Sequence, residues 1–485
     1  MLKIRMVLEW LMIGILVLSV AEVSLRGQTM RTSTAADRQS LALTVYNSGI
    51  ALVRDTRRLD LPQGSVRLQL SGIAQKLQPQ TVQLTPAAAS APWTVLEQNY
   101  LEDTVNPQRL LEAYVGKFVT LVRTRLENNS EVEVPIQARL LAAGPEPVWE
   151  IEGKVVTGLK VDHYVFPGFP STLSLKPALV FLLQNYRAGE QTAEVSYLTD
   201  GINWNADYVL MLAASGKRTS LQGWVTLRND SGLTFPDTSI QLVAGEVHRV
   251  YAMAVQPQAR MMTSMAAAPP TPGQFTQQPF SSYHLYTLQR RTTLPDHESK
   301  QISLLSANHV SVTRTYEVNG RSYYYRNPEP GAPFKDPVEV RLRFENSKQN
   351  ALGMPLPAGI VRIYQNDSAG HEQFLGEDRI NHTPAGEMVD LDAGNAFDVT
   401  EERKQTDFQR LGQHSSEMTF EIVLRNHQSQ PVQVAVNEPF GGDWELLSSS
   451  FPYQKTSAFS AQFIVPVAAN GEALLRYRVR VRWGG

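Results

Sequence analysis

Apolar and polar residues alternate with a period of two through most of this chain, and that pattern restricts its fold more than any other feature. A strand turns successive side chains to opposite faces, so the alternation buries one face of a sheet and wets the other. Leu41-Ala42-Leu43-Thr44-Val45-Tyr46 and Ile50-Ala51-Leu52-Val53 read as strands around the tight turn Asn47-Ser48-Gly49. Ser65-Val66-Arg67-Leu68-Gln69-Leu70 continues the meander, and the chain closes on Leu475-Arg476-Tyr477-Arg478-Val479-Arg480-Val481-Arg482-Trp483. One segment departs from the pattern. Asn106 can cap a helix, Pro107 is tolerated in its first turn, Leu110, Leu111, Tyr114 and Val115 form an apolar face, and Gly116 can end it in the left-handed conformation. The expected fold is therefore all-β, with tandem antiparallel β-sandwich-like domains and one short helix in the N-terminal region.

With 485 residues the chain is too long for one ordinary core. The expected divisions are an N-terminal β-domain over 38–185, a central one over 186–325 and a C-terminal immunoglobulin-like sandwich over 335–485. Residues 253–281, rich in Met, Ala, Pro and Gln, read as a flexible insertion in the central domain, and the proline-dense 327–333 reads as an extended linker. Residues 1–21 read as a signal peptide: Lys3 and Arg5 precede an apolar core, and Ser19-Val20-Ala21 offers small residues at the cleavage positions. Glu9 interrupts the apolar run, and an uncleaved anchor is the alternative; with cleavage, no stable membrane span is expected. The absence of cysteine fits export in one way, since such a chain cannot form wrong disulfides and must be held by core burial. It also removes thiolate nucleophiles, Cys-ligated zinc and iron-sulfur clusters.

Charge argues against a nucleic-acid partner: 45 Lys and Arg against 47 Asp and Glu leave a formal charge of -2. The nine histidines are scattered, with no His-Glu-x-x-His and no His-x-His pair, so spacing predicts no metal site. Asp390-Leu391-Asp392-Ala393-Gly394-Asn395 looks like a calcium loop, but its glycine falls fifth rather than sixth. No Gly-x-Ser-x-Gly elbow or Gly-x-Gly-x-x-Gly loop is present, and no cofactor is expected. Two polar runs remain as a candidate binding surface. The first holds Glu377, Asp378 and His382, where a carboxylate beside an imidazole could do acid/base work, although a strand edge and turn explain the same residue types. The second holds Asp398, Glu401, Arg403, Lys404 and Asp407, which read as a surface or as a cross-strand charge ladder. Arg476, Arg478, Arg480 and Arg482 share a strand face and read either as an anion-binding stripe or as a solvated face that blocks edge aggregation.

Several phrases resemble a known family. They are Ser196-Tyr197-Leu198-Thr199-Asp200-Gly201 with Trp204 and Asp207-Tyr208, Gly223-Trp224, Leu242-Val243-Ala244-Gly245-Glu246-Val247, Tyr283-His284-Leu285-Tyr286, Asn346-Ser347, Pro355-Leu356-Pro357-Ala358-Gly359, Gly376-Glu377-Asp378-Arg379 and the run 395–408. Over 194–483 they resemble the bacterial domain of unknown function 4139, related to the C-terminal part of mucoidy-inhibitor-like proteins. The resemblance implies an exported all-β bacterial protein and brings no catalytic residue or cofactor. Physically, Trp204 and Trp224 read as core fillers, 355–359 as turn chemistry and Gly245 as a bulge or close strand approach. The expected function is a non-enzymatic protein of the periplasm or cell surface whose β-domains bind an envelope protein or a polysaccharide. The alternatives are a hydrolase or metal-dependent enzyme with a site near Asp378, His382 and Asp390, and a carbohydrate-binding protein.

Overall fold

The computed structural model describes residues 29–483 except 88–91, 102–105, 128–129, 171–176, 246–273, 330 and 332. The expected signal segment lies outside the described residues, as does most of the expected insertion. Within that insertion, Phe275–Phe280 is a strand that hairpins with Tyr283–Leu288. The alternation folds as anticipated into β-structure throughout, and one α-helix, Pro107–Ala113, is present among the described residues. Its cap is as expected: Asn106 Oδ1 accepts from the Arg109 N–H at 2.8 Å, and Gly116 takes a positive φ of 85°.

Five sheets build the body. Sheet I orders Thr29–Ser33, Gly64–Ser71, Ala178–Asn185 and Trp93–Leu101. Sheet II is centred on Phe235–Ala244, Arg38–Tyr46, Ile50–Leu61 and Gly189–Asp200. Sheet III orders Glu298–Ser311, Arg218–Asn229, Ile202–Leu212, Gly359–Asn366 and Glu372–Ile380. Sheet IV orders Met388–Asn395, Glu339–Glu345, Thr313–Asn319, Val432–Pro439, Ser460–Val467 and Tyr453–Ser457. Sheet V orders Val399–Gly412, Ser415–Asn426, Gly471–Arg482 and Asp443–Ser449. A smaller five-stranded sheet over 118–165 packs Val119, Leu121, Leu140 and Trp149 against Leu111 of the helix and Tyr114, which caps its end. Most pairings are antiparallel, but Ile202–Leu212 runs parallel to Gly359–Asn366, Phe235–Ala244 to Arg38–Tyr46, Thr313–Asn319 to Val432–Pro439, and Thr29–Ser33 to Gly64–Ser71. The first three of these parallel pairs join segments far apart in sequence.

One side-chain device is repeated where each successive pair of sheets meets. Asn185, Asn229, Asn346 and Asn426, all fully or almost fully buried, stand at or just past a strand end. Each sends its Nδ2 to carbonyls at the end of a strand in the opposing sheet. Asn185 reaches Leu61 and Pro62 at 3.3 and 2.7 Å, and Asn229 reaches Leu294 and Pro295 at 3.2 and 3.0 Å. Asn346 reaches Thr383 and Pro384 at 3.2 and 2.9 Å, and Asn426 reaches Val467 and Ala468 at 3.5 and 3.0 Å. Each also donates to a carbonyl a few residues along its own chain, and its Oδ1 accepts a local backbone N–H. A left-handed residue follows the receiving carbonyls in every copy: Gly64, His297, Gly386 and Asn470. Such a corner satisfies buried backbone groups just where the chain leaves a sheet and the ladder ends.

The corners bind sheet I to II, II to III, III to IV and IV to V. Sheets II, III and IV therefore each serve two sandwiches, and they do so with one face. On Glu339–Glu345 and the residue before it, Val338 and Val340 enter the C-terminal core while Leu342 and Phe344 enter the large core shared by sheets I to IV. The phrases that carry the family resemblance mostly pack around one strand, Ile202–Leu212. Trp204 donates to the Val243 carbonyl at 3.3 Å, Tyr208 to that of Pro357 at 2.8 Å and Tyr286 to that of Pro355 at 2.9 Å. A Cβ on Gly359 would meet the Ala206 carbonyl at 2.2 Å, so the close strand approach there admits glycine alone. Gly245 plays the expected close-approach role, since its Cβ would meet the Tyr283 ring at 2.5 Å. Trp224 differs from expectation: it lies half-buried on the outer face of sheet III, because its even position alternates with the inward odd positions of Val225 and Leu227.

Candidate functional site

The densest titratable cluster sits inside the C-terminal sandwich and includes two of the sequence candidates. Val399, Glu401 and Arg403 alternate inward on the edge strand Val399–Gly412, while Thr400, Glu402 and Lys404 alternate outward. Glu401 is 1% exposed and Arg403 is fully buried. Arg403 Nη1 binds Glu438 Oε1 at 2.6 Å, its Nε stands 3.2 Å from Glu401 Oε1 without hydrogen-bond alignment, and Asp336 Oδ2 lies 3.7 Å away. The Tyr324 ring covers the guanidinium at 5.3 Å, and the Tyr324 hydroxyl donates to Asp336. Tyr325 bonds both Glu438 and, at 2.9 Å, the Tyr477 hydroxyl. Three carboxyl groups thus face one guanidinium, an arrangement that leaves excess negative charge unless a proton is held. Burial, opposed by Arg403, pushes the Glu401 carboxyl up to about 7. Burial also raises the Tyr325 and Tyr477 hydroxyls well above the ordinary tyrosine range.

The segment 320–337 closes this cluster. Phe334 and Arg403 exchange backbone hydrogen bonds at 3.0 and 2.8 Å, the Asp336 N–H donates to Glu401 at 2.9 Å, and the Glu329 N–H donates to the Gln405 side chain at 2.7 Å. Of the residues expected to form an extended linker, Asn327 and Glu329 hydrogen-bond the Gln405 side chain on this edge strand. Inward charges on an edge strand discourage pairing with another chain, and here the segment also occupies part of the edge. With Glu401, Arg403 and Glu438 enclosed, the chemistry open to the cluster in this conformation is uptake and release of a proton.

The other candidates lie elsewhere. Glu377 Oε2 pairs with Arg362 Nε at 3.3 Å, and Arg362 pairs with Asp207 at 3.1 Å on the outer face of sheet III. Asp378 accepts the N–H groups of Arg379 and Asp392 at 2.7 and 2.8 Å, fastening the edge of sheet III to sheet IV. Asp390 is gripped by Arg341 at 3.0 Å and Arg343 at 2.9 Å, with Arg343 also on Glu317 at 2.8 Å. His382 Nδ1 accepts from the Ala358 N–H at 3.1 Å. Asp398, Lys404 and Asp407 are exposed. The eight candidates therefore divide among three places, and Asp378, His382 and Asp390 are each engaged by different partners. Among the described residues, no three His, Asp or Glu side chains are arranged to hold a metal ion.

The alternating arginines form a cross-strand ladder. Arg476 pairs with Glu421, Arg478 with Glu417, and Arg480 with Glu417 at 3.0 Å and Glu445 at 3.3 Å. Sequence reading missed Asp336, Glu438, Tyr324, Tyr325 and Tyr477, which come from separate segments. An inward-register Glu and Arg at 401 and 403 were the available signal. Comparison with models of known protein families returns no match, and no curated protein matches the chain.

Proposed function

We propose that this chain is an exported, non-enzymatic bacterial envelope protein that works as a rigid β-array binding a surface polymer or an envelope protein. The observation that carries this reading is the sharing of sheets II, III and IV between successive sandwiches, which fixes their outer faces relative to one another. A rigid body pre-organises a binding face and lowers the entropic cost of association. The polar groups that reactive chemistry would need are engaged within the fold: Asp390 between two arginines, Asp378 on backbone N–H groups, and Glu401 with Arg403 in a closed core. The resemblance of 194–483 to domain of unknown function 4139 and the leader-like residues 1–21 favour export. Crosslinking in intact cells followed by purification should recover a reproducible envelope partner or polymer, while a broad hydrolase panel shows no turnover. Turnover abolished by Asp390→Ala or Asp378→Asn would refute the reading.

A further inference from the structure

We propose that the outer face of sheet III binds a neutral polysaccharide chain, stacking sugar rings on Trp224 and on the Tyr364–Phe374 pair; this rests on the polymer-binding reading above. Register places Trp224 opposite Asp207, and Asp207 opposite Ile360, on three adjacent strands. Tyr364 lies four residues beyond Ile360 on the same face and faces Phe374 on the edge strand, with ring centroids 5.4 Å apart. Strand spacing and rise put Trp224 about 16 Å from Tyr364, diagonally across the sheet. The two aromatic stations are thus separated by the length of a short oligosaccharide.

Three observations select the ligand class. Trp224 is half-buried outside the packed cores, and its indole N–H is unburied and makes no hydrogen bond to a described residue. It offers a flat apolar surface for the C–H face of a sugar and one free donor for a hydroxyl. The charges beside it balance: Asp207 accepts from Thr226 at 2.8 Å and from Arg362 at 3.1 Å, Arg362 also holds Glu377, and the exposed Arg379, in register with Ile360 on the same face, supplies the second positive charge. No excess charge remains there to attract a polyanion or polycation. The outer face of sheet V is an arginine–glutamate ladder and that of sheet IV carries the Arg341–Asp390–Arg343 set, so an aromatic centre sets sheet III apart from these two neighbours. A stable protein interface needs a continuous desolvated core of roughly 800 Å² per partner, whereas here paired charges separate the rings.

The test is calorimetric titration of the full chain, with tryptophan fluorescence in parallel, using cellohexaose, chitohexaose and maltohexaose and with polygalacturonate as the acidic comparison. At least one neutral hexasaccharide should bind and change the fluorescence. Trp224→Ala should weaken that binding about threefold to tenfold, the value of one aromatic contact, and Trp224→Phe should restore most of it. Phe374→Ala, at a position 55% exposed, provides a second variant that does not depend on the folding of the first. Failure of all three neutral probes, or binding of the acidic polymer alone, overturns the proposal. Neutral-glycan binding unchanged in both variants also overturns it while leaving the polymer-binding reading intact. Hydrolysis of a bound probe overturns that reading itself, and a crosslinked protein partner lost on Trp224→Ala assigns the face to a protein instead.

Discussion

Asn426 provides a sharp test of the repeated corner. Its amide donates to Gln430 and Ala468 carbonyls at 2.8 and 3.0 Å, while its Oδ1 accepts the Gln428 N–H at 3.0 Å. Asn426→Ala leaves these three backbone groups, and the more distant Val467 carbonyl at 3.5 Å, without this partner and opens a small void in a site 1% exposed. A net hydrogen bond contributes about 1 kcal/mol and a stranded buried group costs about 1–3 kcal/mol, so a loss of about 3–5 kcal/mol is expected. Asn426→Asp keeps the shape and the acceptor but replaces the donor with a carboxylate oxygen facing two carbonyls. At neutral pH it should therefore be worse than alanine, because it adds an unpaired buried charge. In acid the protonated aspartate regains one donor, so its deficit relative to alanine should shrink or reverse. Hydrogen exchange resolved by peptide is the suitable assay, since a body of several sandwiches need not unfold in one step. Ser415–Asn426 and Gly471–Arg482 should lose protection in both variants, with Ala178–Asn185 as the distant control. Aspartate tolerated as well as asparagine at neutral pH would refute the donor role.

Other substitutions probe the buried cluster and the central strand. Glu401 is protonated more tightly in the folded chain than in the unfolded one, so its contribution favours the fold in acid and is lost as pH rises from about 4.5 through about 7. Urea titrations across that window should show a decline on the order of 3 kcal/mol at most, and Glu401→Gln should remove this part of the slope. Arg403→Met should destabilise the C-terminal sandwich by about 3–5 kcal/mol by leaving buried carboxylates uncompensated, with partial recovery when Glu438→Gln is added. Gly359→Ala should lower the melting temperature and alter the near-ultraviolet signal of Trp204, because its Cβ would press on backbone at 2.2 Å. An unchanged melting curve would mean that the strands can separate there without loss.

Period two and turn chemistry made the strand content legible, and the Asn106 cap made the helix legible. Partnership was not: pairings such as Ile202–Leu212 with Gly359–Asn366 bring distant segments together, and alternation says which face is buried without saying against what. The corners were visible in principle as a recurring triplet of apolar residue, polar residue and asparagine. Leu183-Gln184-Asn185, Leu227-Arg228-Asn229, Phe344-Glu345-Asn346 and Leu424-Arg425-Asn426 carry it. Their irregular spacing hides the repeat, and in the first copy the receiving strand, Ile50–Leu61, precedes the asparagine instead of following it. The run 398–407 looked like one surface because composition does not reveal register. Period two divides it, sending Glu401 and Arg403 inward and Lys404 outward. Trp224 misled for the same reason, since size suggested a core position while alternation with the buried Val225 places it outside.

The buried charges at the two ends of the body share a physical purpose. In the first sandwich Asp55 binds Arg57 and Arg38, each at 2.8 Å, and the two guanidinium groups also donate to the Ser33 and Gly72 carbonyls. In the last sandwich the sign is reversed, with three carboxyl groups around Arg403. Each cluster fastens a peripheral segment: the edge strand Thr29–Ser33 with its following turn, and the stretch that carries Phe334 and Asp336. Thr29–Ser33 contains one large apolar side chain, Met30, and that side chain is 58% exposed. Hydrophobic burial contributes little to docking such a strand; its register comes from parallel pairing with Gly64–Ser71, and Arg57 Nη1 adds a bond of 3.4 Å to the Ser33 carbonyl at its end. Apolar replacement of Asp55 with Arg38 and Arg57 together should therefore preserve the sandwich core while loosening the end of the first strand. Replacing Asp55 alone should damage both, because two buried cations would then lose their shared partner.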